Sequence, residues 1–249
     1  MSHQPAARAR IRQLVQLLSL LAFPITLNYF SPYVIVVASA VGVVNGSLIL
    51  FALLFLSSLL LGRLFCSWIC PAGAVQDICA QVQPKPVKGR TAHIVRWIIW
   101  MAWLATIAML SLRAGGYQVV DPLYMTDHGI SVSEIGNYVT YYGVIALFLI
   151  VALIGGKRAA CHTICWMAPF MIVGRALGNR FQWPACHLSA NTAACVNCER
   201  CSRACPMSLD VHAMVQRGDM EETECMLCGS CVDACPNDVI SLRFARGRD

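Results

Sequence analysis

Long uninterrupted hydrophobic segments occupy the first two thirds of the chain, and the polar and charged residues lie mostly between them. No charged residue occurs from Gln13 to Gly62. Segments of this length and apolarity are typical of membrane-spanning helices. We predict four such helices, at residues 13–30, 47–61, 94–112 and 135–156.

A shorter apolar segment, residues 33–46, separates the first two predicted spans. Pro32 ends the preceding helix, and Asn45-Gly46 is a turn signal. Because the segment is too short to cross a bilayer, we predict a re-entrant or interfacial piece on the outer side of the membrane.

Composition agrees with a membrane protein. Of the 249 residues, 57% are hydrophobic and only 13% are charged, whereas soluble domains carry roughly 25% charged residues. The net charge of +6 comes from basic residues that flank the apolar segments. Such residues are membrane anchors and orientation signals rather than a nucleic-acid surface, so the lipid bilayer is an expected partner and nucleic acid is not.

The basic residues also predict an orientation. They gather on one side of the four predicted spans, whereas the loop at residues 113–134 contains one basic and three acidic residues. The clustered basic residues are Arg8, Arg10, Arg12, Arg63, Lys85, Lys88, Arg90, Arg96, Lys157 and Arg158. The positive-inside rule then places both termini in the cytoplasm of a multi-pass protein of the bacterial-type inner membrane. Arg96 and Arg113 are expected to snorkel from the ends of the third span.

The C-terminal region contains two copies of the motif C-x₂-C-x₂-C-x₃-C-P, whose first cysteines are 30 residues apart. This is the ligand pattern of bacterial ferredoxins with two [4Fe–4S] clusters, in which the fourth cysteine of each motif binds the other cluster. The predicted ligand sets are Cys195, Cys198, Cys201 and Cys235 for one cluster, and Cys225, Cys228, Cys231 and Cys205 for the other. The spacing argues against zinc, because zinc sites usually have two separated C-x₂-C pairs. The predicted cytoplasmic location argues against disulfides, because they require an oxidising compartment.

A second set of cysteines follows the second and fourth predicted spans. Cys66 and Cys70 form one C-x₃-C pair, and Cys161 and Cys165 form another 95 residues later. We infer an internal repeat of two helical hairpins, each with both sulfur atoms on one helical face. Three roles stay open: a joint third metal or Fe–S site, a pair of redox-active dithiols, or simple packing.

Two further cysteines, Cys79 and Cys186, have no partner by spacing. We take both as structural, because free cysteine is often simply buried.

These motifs resemble the NapH-type family of membrane 4Fe–4S proteins over about residues 15–242. The resemblance rests on the doubled tail motif, the second C-x₃-C pair and the segment Phe65-Cys66-Ser67-Trp68-Ile69-Cys70-Pro71-Ala72-Gly73. It implies four transmembrane helices, cytoplasmic C-x₃-C motifs, two cytoplasmic [4Fe–4S] clusters and electron transfer coupled to the quinone pool. Trp166 follows Cys165 where the family usually has proline, which marks a distinct subgroup and leaves the physiological acceptor open.

The predicted fold is an all-α four-helix transmembrane domain at residues 1–185, followed by a cytoplasmic α+β ferredoxin domain with two [4Fe–4S] clusters at residues 186–249. The predicted function is electron transfer between quinone or quinol and a redox partner protein in a membrane complex, as a subunit of a quinol dehydrogenase type of oxidoreductase. Asp127 and His128 in the outer loop are candidates for a quinone and proton site. The same loop also matches an ordinary solvated turn.

Two other functions stay open. The protein is a redox-sensing or assembly factor if the C-x₃-C thiols act as switches. It is a plain membrane anchor for a soluble oxidoreductase if it binds no quinone. The sequence contains no C-x-x-C-H haem site, dinucleotide fingerprint or P-loop, so it offers no support for a direct NADH dehydrogenase or an ATPase.

Overall fold

The computed structural model describes residues 7–87 and 90–246. Lys88, one of the residues used above to predict orientation, lies outside these ranges. The α-helices are α1 Ala7–Leu21, α2 Phe23–Thr26, α3 Pro32–Ala40, α4 Gly46–Leu61, α5 Leu64–Trp68, α6 Pro71–Val82, α7 Arg90–Arg113, α8 Ile135–Gly155, α9 Ala159–Thr163, α10 Ala168–Arg180, α11 Arg200–Ala204, α12 Val211–Arg217 and α13 Ser230–Asp233. The strands are β1 Val43–Asn45, β2 Val119–Asp121, β3 Pro184–Ala190 and β4 Ile240–Arg246.

Two helices in the described part of the chain, α7 and α8, are long and apolar enough to cross a membrane. A third span exists if α1 and the helical segment Phe23–Phe30, which meet at a bend of 59°, count as one; Pro24 lies just after the bend. Helix α4 has 16 residues, or about 24 Å, against a hydrocarbon core of about 30 Å. The long helices indicate membrane association, and the predicted set of four full spans is confirmed only in part.

The segment between α2 and α4 folds back on itself. Helix α3 begins after Ser31, whose hydroxyl accepts a hydrogen bond from Val34 N at 3.4 Å. Strand β1 then pairs in parallel with β2, with Val43 opposite Val119. The re-entrant or interfacial placement of residues 33–46 stays a prediction.

The predicted internal repeat is present as α4–α5–α6 and α8–α9–α10. In each copy the long apolar helix ends at a glycine with positive φ, 56° at Gly62 and 99° at Gly156, a conformation that favours glycine. The following short helix carries the first cysteine of the pair, whereas Cys70 and Cys165 lie beyond its end. The prediction that each C-x₃-C occupies one helical face is therefore wrong, because the chain breaks between the two cysteines to start the next helix.

The two copies of the repeat pack through a glycine face on α10. A Cβ atom at Gly174 would lie 1.8 Å from Ser58 Oγ, and one at Gly178 would lie 2.8 Å from Leu59 O. Only glycine permits this approach of α10 to α4.

The C-terminal region forms an α+β unit. Strands β3 and β4 pair antiparallel, from Pro184 opposite Arg246 to Ala190 opposite Ile240, and the two cysteine motifs lie between them in the chain. Its buried Met207 and Met226 belong to the same hydrophobic core as Met171 of α10. The ferredoxin-like region therefore packs directly on the helical region.

Candidate metal centres

The two tail motifs repeat the same backbone conformation. Residues two and four positions after the first cysteine have positive φ in both: 56° at Asn197, 55° at Glu199, 53° at Leu227 and 76° at Gly229. Positive φ is uncommon for residues other than glycine. The repeated turns wind each loop tightly, and backbone N–H groups then face the sulfur atoms, as Leu227 N–H does for Cys225.

The loops enclose two small cavities that combine cysteines from both motifs. One cavity is lined by the sulfur-bearing residues Cys195, Cys198, Cys201 and Cys235. The other is lined by Cys205, Cys225, Cys228 and Cys231. These are the two crossed sets expected from the motif spacing. Apolar side chains such as Val215 and Met207 complete the walls.

The chemistry of these cysteines fits iron–sulfur clusters. Burial raises the pKa of Cys205 to about 11 and that of Cys225 to about 12. A thiolate is the form that binds metal, and bound iron supplies the positive charge that keeps a buried thiolate ionised. Backbone N–H groups of Leu209 and Leu227 also face these sulfurs, as expected for cluster ligands.

The structure also brings the four C-x₃-C cysteines together. All four cysteines, Cys66, Cys70, Cys161 and Cys165, are buried. Cys70 lies close enough to the other three to interact with them electrostatically. Cys66 Sγ is 3.9 Å from Met171 Sδ. Gln76 Nε2 donates to Cys161 Sγ at 3.2 Å. The two halves of the repeat thus build one shared sulfur-rich site.

Buried arginines flank this four-cysteine site at matching positions. Arg63 and Arg158 each precede the first cysteine of their pair by three residues, and both side chains are 0% exposed. Arg158 forms a two-point ion pair with Asp77, with Nε–Oδ1 and NH2–Oδ2 distances of 2.7 and 2.6 Å. It also donates to Cys66 O at 2.7 Å. This fixed charge lies beside the cysteines rather than at the surface.

Glu224, the residue before Cys225, binds two of the buried arginines. Arg63 NH1 lies 2.5 Å from Glu224 Oε2, and Arg96 also pairs with the same carboxylate. Burial disfavours the charged carboxylate, but the two guanidinium groups outweigh it and lower the pKa of Glu224 to about 2. Arg96 is 1% exposed, so the prediction that it snorkels to the membrane interface is wrong: it joins α7 to the ferredoxin-like region.

A histidine pair beside Glu224 was not anticipated from the sequence. Donor atoms of His93, His162 and Glu224 lie within 4.8 Å of one another, and burial lowers the pKa of His162 to about 4. Both carboxylate oxygens of Glu224 already accept hydrogen bonds from Arg63 and Arg96. The adjacent guanidinium charges therefore oppose a metal ion at this point.

Comparisons with known proteins agree with this geometry. A family model described as a 4Fe–4S binding domain matches residues 46–88, and one described as a 4Fe–4S dicluster domain matches residues 187–236. Escherichia coli YccM, whose name assigns it to electron transport, is 24% identical over 215 residues, which is 82% of this chain and 57% of YccM. The Escherichia coli ferredoxin-type protein NapH is 26% identical over 194 residues, covering 74% of this chain and 64% of NapH.

A third relative, MJ0750 of Methanocaldococcus jannaschii, is 23% identical over 204 residues, covering 76% of this chain and 75% of the relative. No solved structure matches the chain. The chain spans little more than half of YccM and under two thirds of NapH. The resemblance to the NapH-like 4Fe–4S family is confirmed. Together with the two tail cavities, the dicluster match over residues 187–236 shows that this chain binds two [4Fe–4S] clusters.

The remaining residues singled out from the sequence lie elsewhere in the structure. Cys79 is buried within α6, and Cys186 is half-buried on β3. Neither lines the tail cavities. Asp127 and His128 are exposed, with 62% and 97% of their side-chain surfaces accessible.

From the sequence, Arg63, Arg96 and Arg158 are assigned to membrane orientation and Gln76 is given no role, although one signal indicates a role for two of the arginines beside the cysteines. Both C-x₃-C pairs are preceded by arginine at the same offset, R-x₂-C-x₃-C. Two equal offsets in two copies of a repeat point to a shared role beside the cysteines.

Proposed function

We propose that the protein is a membrane-bound electron-transfer subunit that passes electrons between the quinone pool and a redox partner protein through its two [4Fe–4S] clusters. A quinol releases two electrons and two protons, and each cluster accepts one electron at a time. The clusters therefore suit a one-electron relay. The names of the relatives, an electron transport protein for YccM and a ferredoxin-type protein for NapH, agree with the electron-transfer part of this role.

The observation that carries the quinone part is an apolar cavity of about 370 Å³ between α2, α3 and α8. Its walls include Phe30, Val144, Phe148 and Trp166, which suit a quinone ring and the start of its tail. A few polar groups, Asn28, Ser131, Asn137 and Thr140, also line it. Binding sites for small apolar molecules are typically of this size and combine apolar walls with a few polar groups.

This cavity reaches the four-cysteine site. Cys70 and Met167 line it, and both belong to the repeat that contains the four-cysteine site. Asp127 and His128 do not line the cavity. We therefore place the proposed quinone site in the cavity rather than at these two loop residues, which the solvated-turn interpretation fits.

The proposed orientation keeps the four predicted spans and places the termini and clusters in the cytoplasm. The support is the distribution of basic residues in the sequence and the two long apolar helices. In this arrangement the tail clusters lie where a soluble or membrane-bound redox partner can reach them.

The test is quinol-dependent reduction of the clusters in purified full-length protein, with reduced menadione as donor and EPR as the readout. Val144→Trp fills the cavity and should abolish the reduction. Val139→Trp, on the same helix but 76% exposed, is the matched control and should react as the wild type does. The double variant Asp127→Ala/His128→Ala should also retain the reaction.

Wild-type clusters that chemical reductants reduce but quinol does not would reject the quinone part of the proposal. The protein would then act as an anchor or an assembly factor. Equal loss in Val144→Trp and Val139→Trp would also reject the cavity as the site, because it would show a general effect of a bulky residue on α8.

A further inference from the structure

We propose that Cys66, Cys70, Cys161 and Cys165 together hold a third iron–sulfur centre, distinct from the two tail clusters. The four residues come from the two copies of the repeat and meet at its centre. Their exposures are only 5%, 5%, 6% and 8%, and all four are free thiols. Two copies of a repeat that place matched cysteine pairs in one buried site form a four-ligand set.

The second cysteine of each pair faces the start of a helix. Cys70 is the N-cap residue of α6, and Gly73 N–H faces its sulfur. In the other copy Ala168 N–H, at the start of α10, faces Cys165. The donor lies three residues after the cysteine in both copies. Free N–H groups and the helix dipole at these termini stabilise negative charge on the sulfurs.

Arg63 is a buried cation beside the cysteines. Arg63 Nε and NH2 have no hydrogen-bond partner among the described residues, although the Arg63 side chain is 0% exposed. The guanidinium lies near Cys66, Cys161 and Cys165. A buried donor without an acceptor is costly. Thiolates and bridging sulfides around iron are negatively charged acceptors, and they would satisfy these donors.

The family match favours an iron–sulfur cluster over a single ion. The matched 4Fe–4S binding domain at residues 46–88 contains Cys66 and Cys70. Four cysteine thiolates are also the ligand type of the two tail sites.

The proposed centre adjoins both the apolar cavity and the nearer tail cluster. Cys70 lines the cavity. Ser67, the residue after Cys66, donates its Oγ–H to Met226 O at 2.8 Å, and Met226 follows the cluster ligand Cys225. The centre is well placed for the proposed electron relay, but its presence does not depend on a quinone, and the test below uses none.

The test counts metal and sulfide in anaerobically purified full-length protein, with EPR and Mössbauer spectra. Two tail clusters contain about eight iron atoms, and a third centre adds about two to four. Cys66→Ser and Cys161→Ser should each lose this additional iron and sulfide and keep the EPR signals of both tail clusters. Cys79→Ser, a buried cysteine on α6 outside all three sites, should keep the full content.

Retained tail signals show that a variant is folded. If Cys66→Ser does not fold, Cys70→Ser and Cys165→Ser provide the same comparison from the other ends of the pairs. About eight iron atoms in the wild type, with zinc or copper at the four cysteines, would overturn the proposal. So would about eight iron atoms with disulfides among these residues, which thiol counting by mass spectrometry detects.

Discussion

Glu224 connects the ferredoxin-like region to the helical region through charge, and removing that charge is a direct test of the interface. The Glu224→Gln substitution keeps the size of the side chain and removes the carboxylate. Arg63 and Arg96 would then lose their shared counter-ion although their side chains are 0% and 1% exposed. They cannot turn to solvent without disrupting the packing around them.

The size of the effect follows from burial. Removing one partner of a buried ion pair typically costs about 3–5 kcal/mol, because an uncompensated charge remains in the interior. In a chain of this size each kcal/mol lowers the melting temperature by about 2–4 °C. We therefore expect Glu224→Gln to lower the melting temperature by roughly 10 °C.

The assay is thermal loss of the visible absorbance of the clusters in detergent-solubilised protein, with limited proteolysis as a second readout. Glu222→Gln is the matched control, because Glu222 lies in the same loop and forms no ion pair among the described residues. Glu224→Gln should also increase cleavage between the helical and ferredoxin-like regions. Melting temperatures within about 2 °C of each other for the two variants would refute the inferred role of the buried charges.

Two further predictions test the packing and the cluster ligands. Gly174→Leu should prevent accumulation of folded protein, because the new side chain would overlap Ser58 on α4. Gly143→Leu is the control and should be tolerated, because Gly143 has open space around it. Equal yields of the two variants in membranes would contradict the close helix packing. Cys205→Ser and Cys228→Ser should abolish the same EPR signal, and both should keep the signal that Cys198→Ser abolishes. If Cys205→Ser and Cys198→Ser abolished the same signal instead, each cluster would be bound by the four cysteines of a single motif.

The cluster ligands could be predicted from the sequence because short-range geometry determines them. Four cysteines within eleven residues, twice, leave few ways to bind a cubane, and the crossed sets follow from the known two-cluster arrangement. The structure brings together the same sets, including the distant Cys235 and Cys205. The repeat was visible for the same reason, since each copy is a local pattern.

The environment of the four-cysteine site could not be predicted, because it depends on contacts between distant parts of the chain. Glu224 is far from Arg63 and Arg96 in sequence, and hydrophobic periodicity contains no information about which carboxylate will meet them. The prediction that both sulfurs of each C-x₃-C pair lie on one helical face is wrong for a local reason. The helix breaks before Pro71 and before α10, so the second cysteine of each pair lies outside the short helix.

The buried ion pairs do not contradict the orientation predicted from the basic residues. In the folded structure Arg12 and Arg158 face Asp77, and Arg63 and Arg96 face Glu224, so much of the basic charge is neutralised. The positive-inside rule, however, counts lysine and arginine near the spans as they insert, and acidic residues contribute little to it. Glu224 follows the predicted spans in the chain and is therefore made after them. In the proposed orientation the same arginines would direct insertion first, and in the folded protein Arg63 and Arg96 hold the ferredoxin-like region against the helical region.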